Sequence, residues 1–230
     1  MQEQDANMTY TSSIEYDHRL YKQDIAVSVA HSRMLAKQQI ITNEDFRLIN
    51  EGLISIKQEI ESGEFPWRIE LEDIHMNIET RLFEKIGESA GRLHTGRSRN
   101  DQIATDIRMY TKESILNTIK NIRSVQKALL DKANEFIEIV MPGYTHMQRA
   151  QPVLLPHHLL AYFHMFQRDI ARMKNCFTRT DIMPLGSGAL AGVPYPIDRQ
   201  SVAKELGFSQ ISDNSMDAVS DRDFLLEYSG

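Results

Sequence analysis

The stretch His94-Thr95-Gly96-Arg97-Ser98-Arg99-Asn100-Asp101-Gln102 gathers two arginines, a histidine, an Asn-Asp pair and several small hydroxyl or glycine residues into one short run. That composition suits the gripping of carboxylates. An Arg guanidinium is a planar fork that matches a carboxylate. Ser, Thr and Asn supply short neutral hydrogen bonds, and Gly lets backbone N–H groups approach a ligand closely. A helical pattern follows at once, so Asn100 or Asp101 is predicted at the mouth of a helix, where free N–H groups and the dipole favour an anion. The same residues also describe a capped helix start carrying solvated charge, and the stretch alone leaves both readings open.

Three further segments carry chemistry-bearing residues. Gly143-Tyr144-Thr145-His146-Met147-Gln148-Arg149-Ala150-Gln151-Pro152 places His146 between two long helical patterns. A histidine held there suits proton transfer near neutral pH, and equally suits an ordinary loop role. Glu72-Asp73-Ile74-His75 and Ser12-Ser13-Ile14 both read first as helix caps. The tandem His157-His158 is a poor chelating pair, because adjacent helical positions point ~100° apart, and no metal site is read from the chain. Gly186-x-Gly188-x-x-x-Gly192 misses the dinucleotide-binding spacing and follows no strand pattern.

The elements that must position these segments are helical. Ile14, Tyr21, Ile25 and Leu35 thread a polar sequence that runs on to Ile41. Thr42-Asn43-Glu44-Asp45 is a second cap signal, followed by Phe46, Ile49, Leu53, Ile56 and Ile60 at alternating spacings of three and four, up to Gly63. Glu64 to Leu71, with Pro66 and Trp67, reads as a loop, and a third helix starts near Asp73 and ends before Gly87. Ile103 to Val140 contains neither Gly nor Pro; at ~1.5 Å per residue such a rod spans roughly 55 Å. Pro142-Gly143 is expected to end it. A second rod opens at Pro156 and carries Leu159, Phe163, Phe166, Ile170, Met173 and Phe177 as a narrow stripe. The two rods are expected to run antiparallel, with that stripe in the core. Pro184 to Pro196 is too rich in Gly and Pro for helix; Ile197 to Leu206 reads as a short helix stopped by Gly207, and Ser220 to Gly230 as the start of another.

Composition narrows the function classes. Of the 230 residues, 41% are hydrophobic and 25% charged, the balance of an ordinary globular chain. The net charge of −6 argues against a general nucleic-acid binder, which needs a broad basic surface. Cys176 is the single cysteine, so no internal disulfide forms, and it is expected to fill the core. The N-terminus, Met1 to Thr11, is polar and lacks the apolar core of a signal peptide. No run approaches the ~20 apolar residues of a membrane span. These features predict an intracellular, cytoplasmic protein.

Taken together, the segments resemble the argininosuccinate lyase branch of the fumarase/aspartase superfamily. The matching stretches are Glu72–His75, Gly91–Gln102, Pro142–Pro152, Pro184–Gly192 and Asn214–Phe224, in the order of that family, and the resemblance runs from about residue 12 to 230. It implies an all-α fold: a small N-terminal helical domain over residues 1–101, then, over 102–230, the first part of a central long-helix bundle. It implies a homotetramer whose active sites are shared between subunits. The implied reaction is the reversible cleavage of argininosuccinate to arginine and fumarate in arginine biosynthesis, without metal or organic cofactor. By the same resemblance, Ser13, Asn100 and Thr145 are expected to bind substrate, Arg99 and Asp73 to be further contacts, and His146 to be the catalytic histidine.

Two departures accompany the resemblance. The family's serine-loop signature, of the type Ser-Ser-x-Met-Pro-Gln-Lys-Lys-Asn-Pro, is not found in the chain, nor is the usual Trp-Gly-Gly-Arg-Phe-type opening. The chain is therefore expected to be an N-terminal portion of the enzyme. A non-catalytic, crystallin-like protein on the same scaffold is the alternative, and a serine loop in downstream sequence would separate the two. The polypeptide by itself is expected not to turn over argininosuccinate; a fumarate-release assay beside a full-length control checks this, and turnover equal to the control would refute it.

Overall fold

A computed structural model describes residues 10–230; of the polar N-terminus read above, Met1 to Thr9 lie outside the described residues. The chain divides into two compact units, one formed by residues up to 110 together with 181–222, the other by 111–180 together with 223–230. The helical pattern after Ser13 is split: α1 (Ile14–Asp17), a 3-10 turn at His18–Leu20, then α2 (Tyr21–Lys37). It ends before the expected Ile41, where Gln39 turns into the left-handed region at φ 58°.

In the first unit, α3 (Asn43–Ser62) begins on the predicted capping box. The Thr42 side chain accepts from Asp45 N–H while the Asp45 carboxylate accepts from Thr42 N–H, and Gly63 closes the helix at φ 77°. Its apolar stripe packs against α4 (Ile74–Ile86): Ile49, Leu53, Ile56, Ile74, Ile78 and Leu82 are all completely buried in one core. Segment 181–222 adds to this core through Met183, Leu185, Val202 and Phe208. It contributes β3 (Ile182–Met183), α7 (Arg199–Glu205) stopped by Gly207, the short parallel partner β4 (Gln210–Ile211), and α8 (Ser215–Ser220).

The first long helix, α5 (Arg99–Glu135), starts earlier than its apolar pattern. Ser98 and Asp101 explain why. Ser98 N–H donates to Asp101 Oδ1 (2.9 Å) and Asn100 N–H to Ser98 Oγ (3.3 Å), so polar cap chemistry begins the helix ahead of the first apolar position.

The second unit holds the rest of α5 from Thr111, α6 (Leu155–Thr180) and α9 (Asp223–Ser229). Lys112 Nζ lies over the Phe177 ring and Gln126 Nε2 donates to the Phe163 carbonyl, pairings that make α5 and α6 antiparallel. α9 joins them through Thr118 Oγ1···Tyr228 Oη (3.0 Å) and Cys176 Sγ–H to the Phe224 carbonyl (3.5 Å).

Two expectations are corrected here. The first rod ends at Glu135, not at Pro142-Gly143, and the connection to the second is an antiparallel hairpin, β1 (Val140–Thr145) and β2 (Gln148–Leu154). Pro142 faces Pro152 across it, and two prolines exclude helix while an edge-rich two-stranded ribbon tolerates them. The α6 stripe, expected in the core, is buried only at Ile170; Leu159, Phe163, Phe166, Met173 and Phe177 remain half-exposed. The second unit has too few elements to cover both rods. Among the described residues no helix is long and apolar enough to cross a membrane.

Leu53 is fully enclosed and Leu226 is 73% exposed. Leu53→Ala is expected to lower unfolding stability by about 2–5 kcal/mol, whereas Leu226→Ala changes it by less than about 0.5 kcal/mol; urea denaturation checks both.

Candidate functional site

In the first unit, four of the predicted residues sit on three adjoining segments. Ser13 precedes α1, Asp73 is the N-cap of α4, and Arg99 and Asn100 form the first turn of α5. Asp17 ties the first two segments together, accepting from Ser13 Oγ at 2.6 Å and from Ile74 N–H at 3.2 Å. Ser13 N–H also donates to the Glu72 carbonyl. The cap read at Ser13 is corrected in one respect: its backbone is already helical, and its hydroxyl caps no N–H but turns to Asp17. Asp73 does cap, accepting from Met76 N–H at 2.7 Å, while its other oxygen lies 3.9 Å from Arg99 Nε.

Arg99 is held by a carboxylate of the protein itself. Its guanidinium donates to both oxygens of Glu79, at 3.0 and 2.9 Å, and to Gln102 Oε1. Arg97 and His94 also approach Glu79, at 3.4 and 3.3 Å. Burial alone would raise the Glu79 carboxyl, but His94, Arg99 and Arg97 together hold it down at about 2. Glu79, which holds Arg99, was not among the residues singled out from the sequence. Its signal was its place on the α4 face beyond Asp73 and His75, opposite an arginine-rich loop.

Asn100 is exposed, and its Nδ2 donates to the Ala189 carbonyl at 3.0 Å. The neighbouring Asp101 fastens that glycine-rich segment to α5. Its Oδ2 accepts from the backbone N–H of Gly186 (3.0 Å) and Gly188 (2.9 Å). Gly188 must be glycine: φ is +62°, and a Cβ would stand 2.5 Å from the Gly192 carbonyl oxygen.

Beneath the loop lies a buried polar cluster. His75 Nδ1–H donates to Asp24 Oδ1 (2.8 Å), Gln102 Nε2 donates to the same oxygen, and Asp106 Oδ2 lies 3.6 Å from His75 Nδ1. Burial would raise Asp24, but His75, Arg97 and Gln102 overcome it and hold the carboxyl well below the usual range. Asp106 goes the other way, pushed well above the usual range by burial and by the Asp24 charge. Neither Asp106 oxygen has a hydrogen-bond partner in the structure. Asp24, His75 and Asp106 are the one trio among the described residues whose ligand atoms, all within 4.8 Å of one another, could hold a metal ion. The chemistry of the surroundings opposes a cation: the Gln102 amide presents N–H to Asp24, and the Arg97 charge is already close. The cluster is better suited to holding a proton on Asp106.

Thr145 and His146 lie in the second unit, at the hairpin tip. Thr145 pairs with Gln148, leaving His146-Met147 as a two-residue turn with φ of 49° and 57°. Those are the angles of a type I′ turn, which normally uses Asn-Gly. Two residues with Cβ atoms in this region are uncommon, and such outliers concentrate at functional positions. Both side chains are exposed.

A protein-family model described as "Lyase" matches residues 2–230 of this sequence. The chain belongs to that lyase family. It is 62% identical to the argininosuccinate lyase of Dehalococcoides mccartyi strain BAV1 over 219 residues, 95% of this chain and 48% of that protein. It is 56% identical to the argininosuccinate lyase of Symbiobacterium thermophilum over the same share. Among solved structures it is similar to an EDDS lyase variant with bound fumarate and to EDDS lyase in complex with formate. Both are 30% identical at a TM-score of 0.82, over 91% of this chain and 41% of theirs. The helical fold implied by the resemblance is that of these lyases. The chain spans about half the length of the curated relatives it matches.

A neutral Asp106 has a pH signature in this lyase chain. Its folded pKa is raised, so between the ordinary carboxylate range and that higher value the folded state keeps a proton the unfolded state has lost. Stability from this group is complete at low pH and lost as pH rises through the window. Asp106→Asn, a neutral isostere, is expected to unfold no more easily than the parent at pH 7. Parent and variant unfolding constants should diverge by up to about tenfold per pH unit inside the window. Urea titrations from pH 4 upward check this (~pH 4 being the ordinary carboxylate range), and a strongly destabilised variant at pH 7 would show Asp106 to be ionised.

Proposed function

We propose that this lyase chain is part of an argininosuccinate lyase, cleaving argininosuccinate reversibly to arginine and fumarate in arginine biosynthesis. The observation that carries the reading is the 62% identity with an argininosuccinate lyase over 95% of the chain. That each of the relatives described above carries a lyase name favours an enzyme over a crystallin-like scaffold.

In the proposed reaction a base removes the proton from the carbon next to a succinyl carboxylate. The electron pair spreads into that carboxylate, the C–N bond breaks, and an acid protonates the departing guanidinium nitrogen. The costly species is the doubly charged carboxylate, which fixed donors stabilise best. Asn100 offers an exposed amide on a rigid helix start for this role, with Ser13 and Thr145 as hydroxyl partners. Arg99 sits beside Asp73 and Glu79 in an ion-pair network. Both Glu79 oxygens already take its Nη donors, which fixes where its guanidinium stands for a substrate contact. His146, on its strained turn, is the acid/base or the residue that orients one. The reaction needs no metal or organic cofactor. We further propose a cytoplasmic homotetramer with sites shared between subunits, built from an N-terminal helical domain over 1–101 and a long-helix bundle from 102 onward; the half-exposed α6 stripe supports assembly with further helices.

His146→Asn in the full-length enzyme is expected to reduce kcat at least about 100-fold, the usual size of a general acid–base contribution, with helicity unchanged by circular dichroism. Near-normal fumarate release by that variant would remove His146 from the mechanism.

A further inference from the structure

The face of α2 turned toward the His94–Gln102 stretch carries three polar residues, all completely or almost completely buried: Asp24, Ser28 and His31. Their spacings of four and three put them on one side of the helix. Each meets a different point of the stretch. Asp24 accepts from Gln102 Nε2, Ser28 Oγ accepts from Arg97 Nη1 at 3.0 Å, and His31 Nε2–H donates to the Thr95 carbonyl at 2.9 Å. Burying three polar side chains in a helix interior is costly unless each is hydrogen-bonded, and here each one bonds to the same stretch, Asp24 also taking the His75 Nδ1–H.

The opposite side of the loop is also closed. Gly96 sits at φ +65°, with Tyr195 and Ile197 directly beyond its missing Cβ. His31 also lines a small cavity of about 10 Å³ with Met183, Leu185, Gly186 and Ile197. The stretch is thus gripped between α2 and segment 183–197, and Arg99 and Asn100 stand between the holds at Arg97 and Gln102. Hydrophobic packing alone would hold such a loop loosely along its length, whereas three hydrogen bonds at separate positions fix its register.

We propose that Asp24, Ser28 and His31 form a positioning rail that sets where Arg99 and Asn100 stand for substrate, His31 being the member that fixes the loop backbone. The inference rests on the lyase reading above and deepens it. His31 does this as a neutral imidazole, brought down to about 3 by burial and the nearby Arg97 charge, and the Thr95 carbonyl, which can only accept, requires the tautomer with Nε2–H. None of the three residues touches substrate in this scheme; they act through the loop.

The test uses His31→Leu, His31→Gln and Ser28→Ala in the full-length enzyme, with kcat and KM for argininosuccinate and deuterium exchange of the 95–102 backbone. A loop displaced by about 1 Å can cost up to about 100-fold in rate. His31→Leu is therefore expected to lower kcat/KM at least about tenfold, chiefly through KM, and to speed exchange across 95–102. His31→Gln, which restores an N–H donor, should return kcat/KM to within about threefold of the parent and restore slow exchange. Ser28→Ala, a milder change, should move both readouts in the same direction and keeps the test open if His31→Leu fails to fold. Parent-like KM and exchange in a folded His31→Leu enzyme would overturn the proposal. So would equal losses in the Leu and Gln variants, which would mark His31 as packing only. If the parent enzyme itself releases no fumarate, the lyase reading fails, and the exchange data alone decide whether the rail exists.

Discussion

Asp101 is the junction on which the first unit's candidate site depends. One carboxylate oxygen accepts the N–H of Ser98 and starts α5; the other accepts two N–H groups from the glycine-rich segment far along the chain. A single buried side chain therefore sets both where the helix begins and where segment 184–192 rests against it. Burial raises its carboxyl, and the three N–H donors oppose that rise. An acceptor with two oxygens and several lone pairs is what such a three-way joint requires; an amide in its place would present N–H groups to N–H groups.

Around that joint the charges are arranged in two tiers. The upper tier gathers Arg99 and His94, both partly exposed, and the buried Arg97 around Glu79. The lower tier is sealed, and there Asp24, His75, Gln102 and Asp106 share few donors among many acceptors. Sealed ionic groups are costly, and one proton retained on Asp106 relieves the repulsion between two carboxyls. The retained proton leaves Asp24 as the ionised carboxyl of the lower tier, close to the Arg97 charge.

The helical framework of the first unit was legible residue by residue. The Thr42–Asp45 box, the stripe from Ile49 to Ile56, the Asp73 cap and the stops at Gly63 and Gly207 all follow from local chemistry that operates within a few positions. What escaped reading involves partners distant in sequence or competition between signals. Glu79 looks like one more surface acid on a helix until Arg99 is brought to it across twenty positions. Asp24, Ser28 and His31 look like polar breaks in a weakly amphipathic helix, because nothing local marks a buried polar face. The hairpin at 140–154 was hidden because it follows a long helix without any Asn-Gly turn to announce it, its turn being His-Met. The α6 stripe, expected in the core, stays mostly half-exposed, because a seam's partner is not written in the same stretch.

The His146-Met147 turn bears on flexibility. A chain of ordinary residues visits the left-handed region rarely, so both positions must be over-determined by the ribbon that flanks them. The pairings Tyr144–Arg149 and Thr145–Gln148, with the bulge at Gly143 just behind, supply that constraint. Replacing Met147 with glycine would ease the turn and loosen the imidazole's backbone at the same time. A glycine there would widen the range of directions in which the His146 ring can point. Rigidity at this tip comes from keeping the wrong residues in the turn.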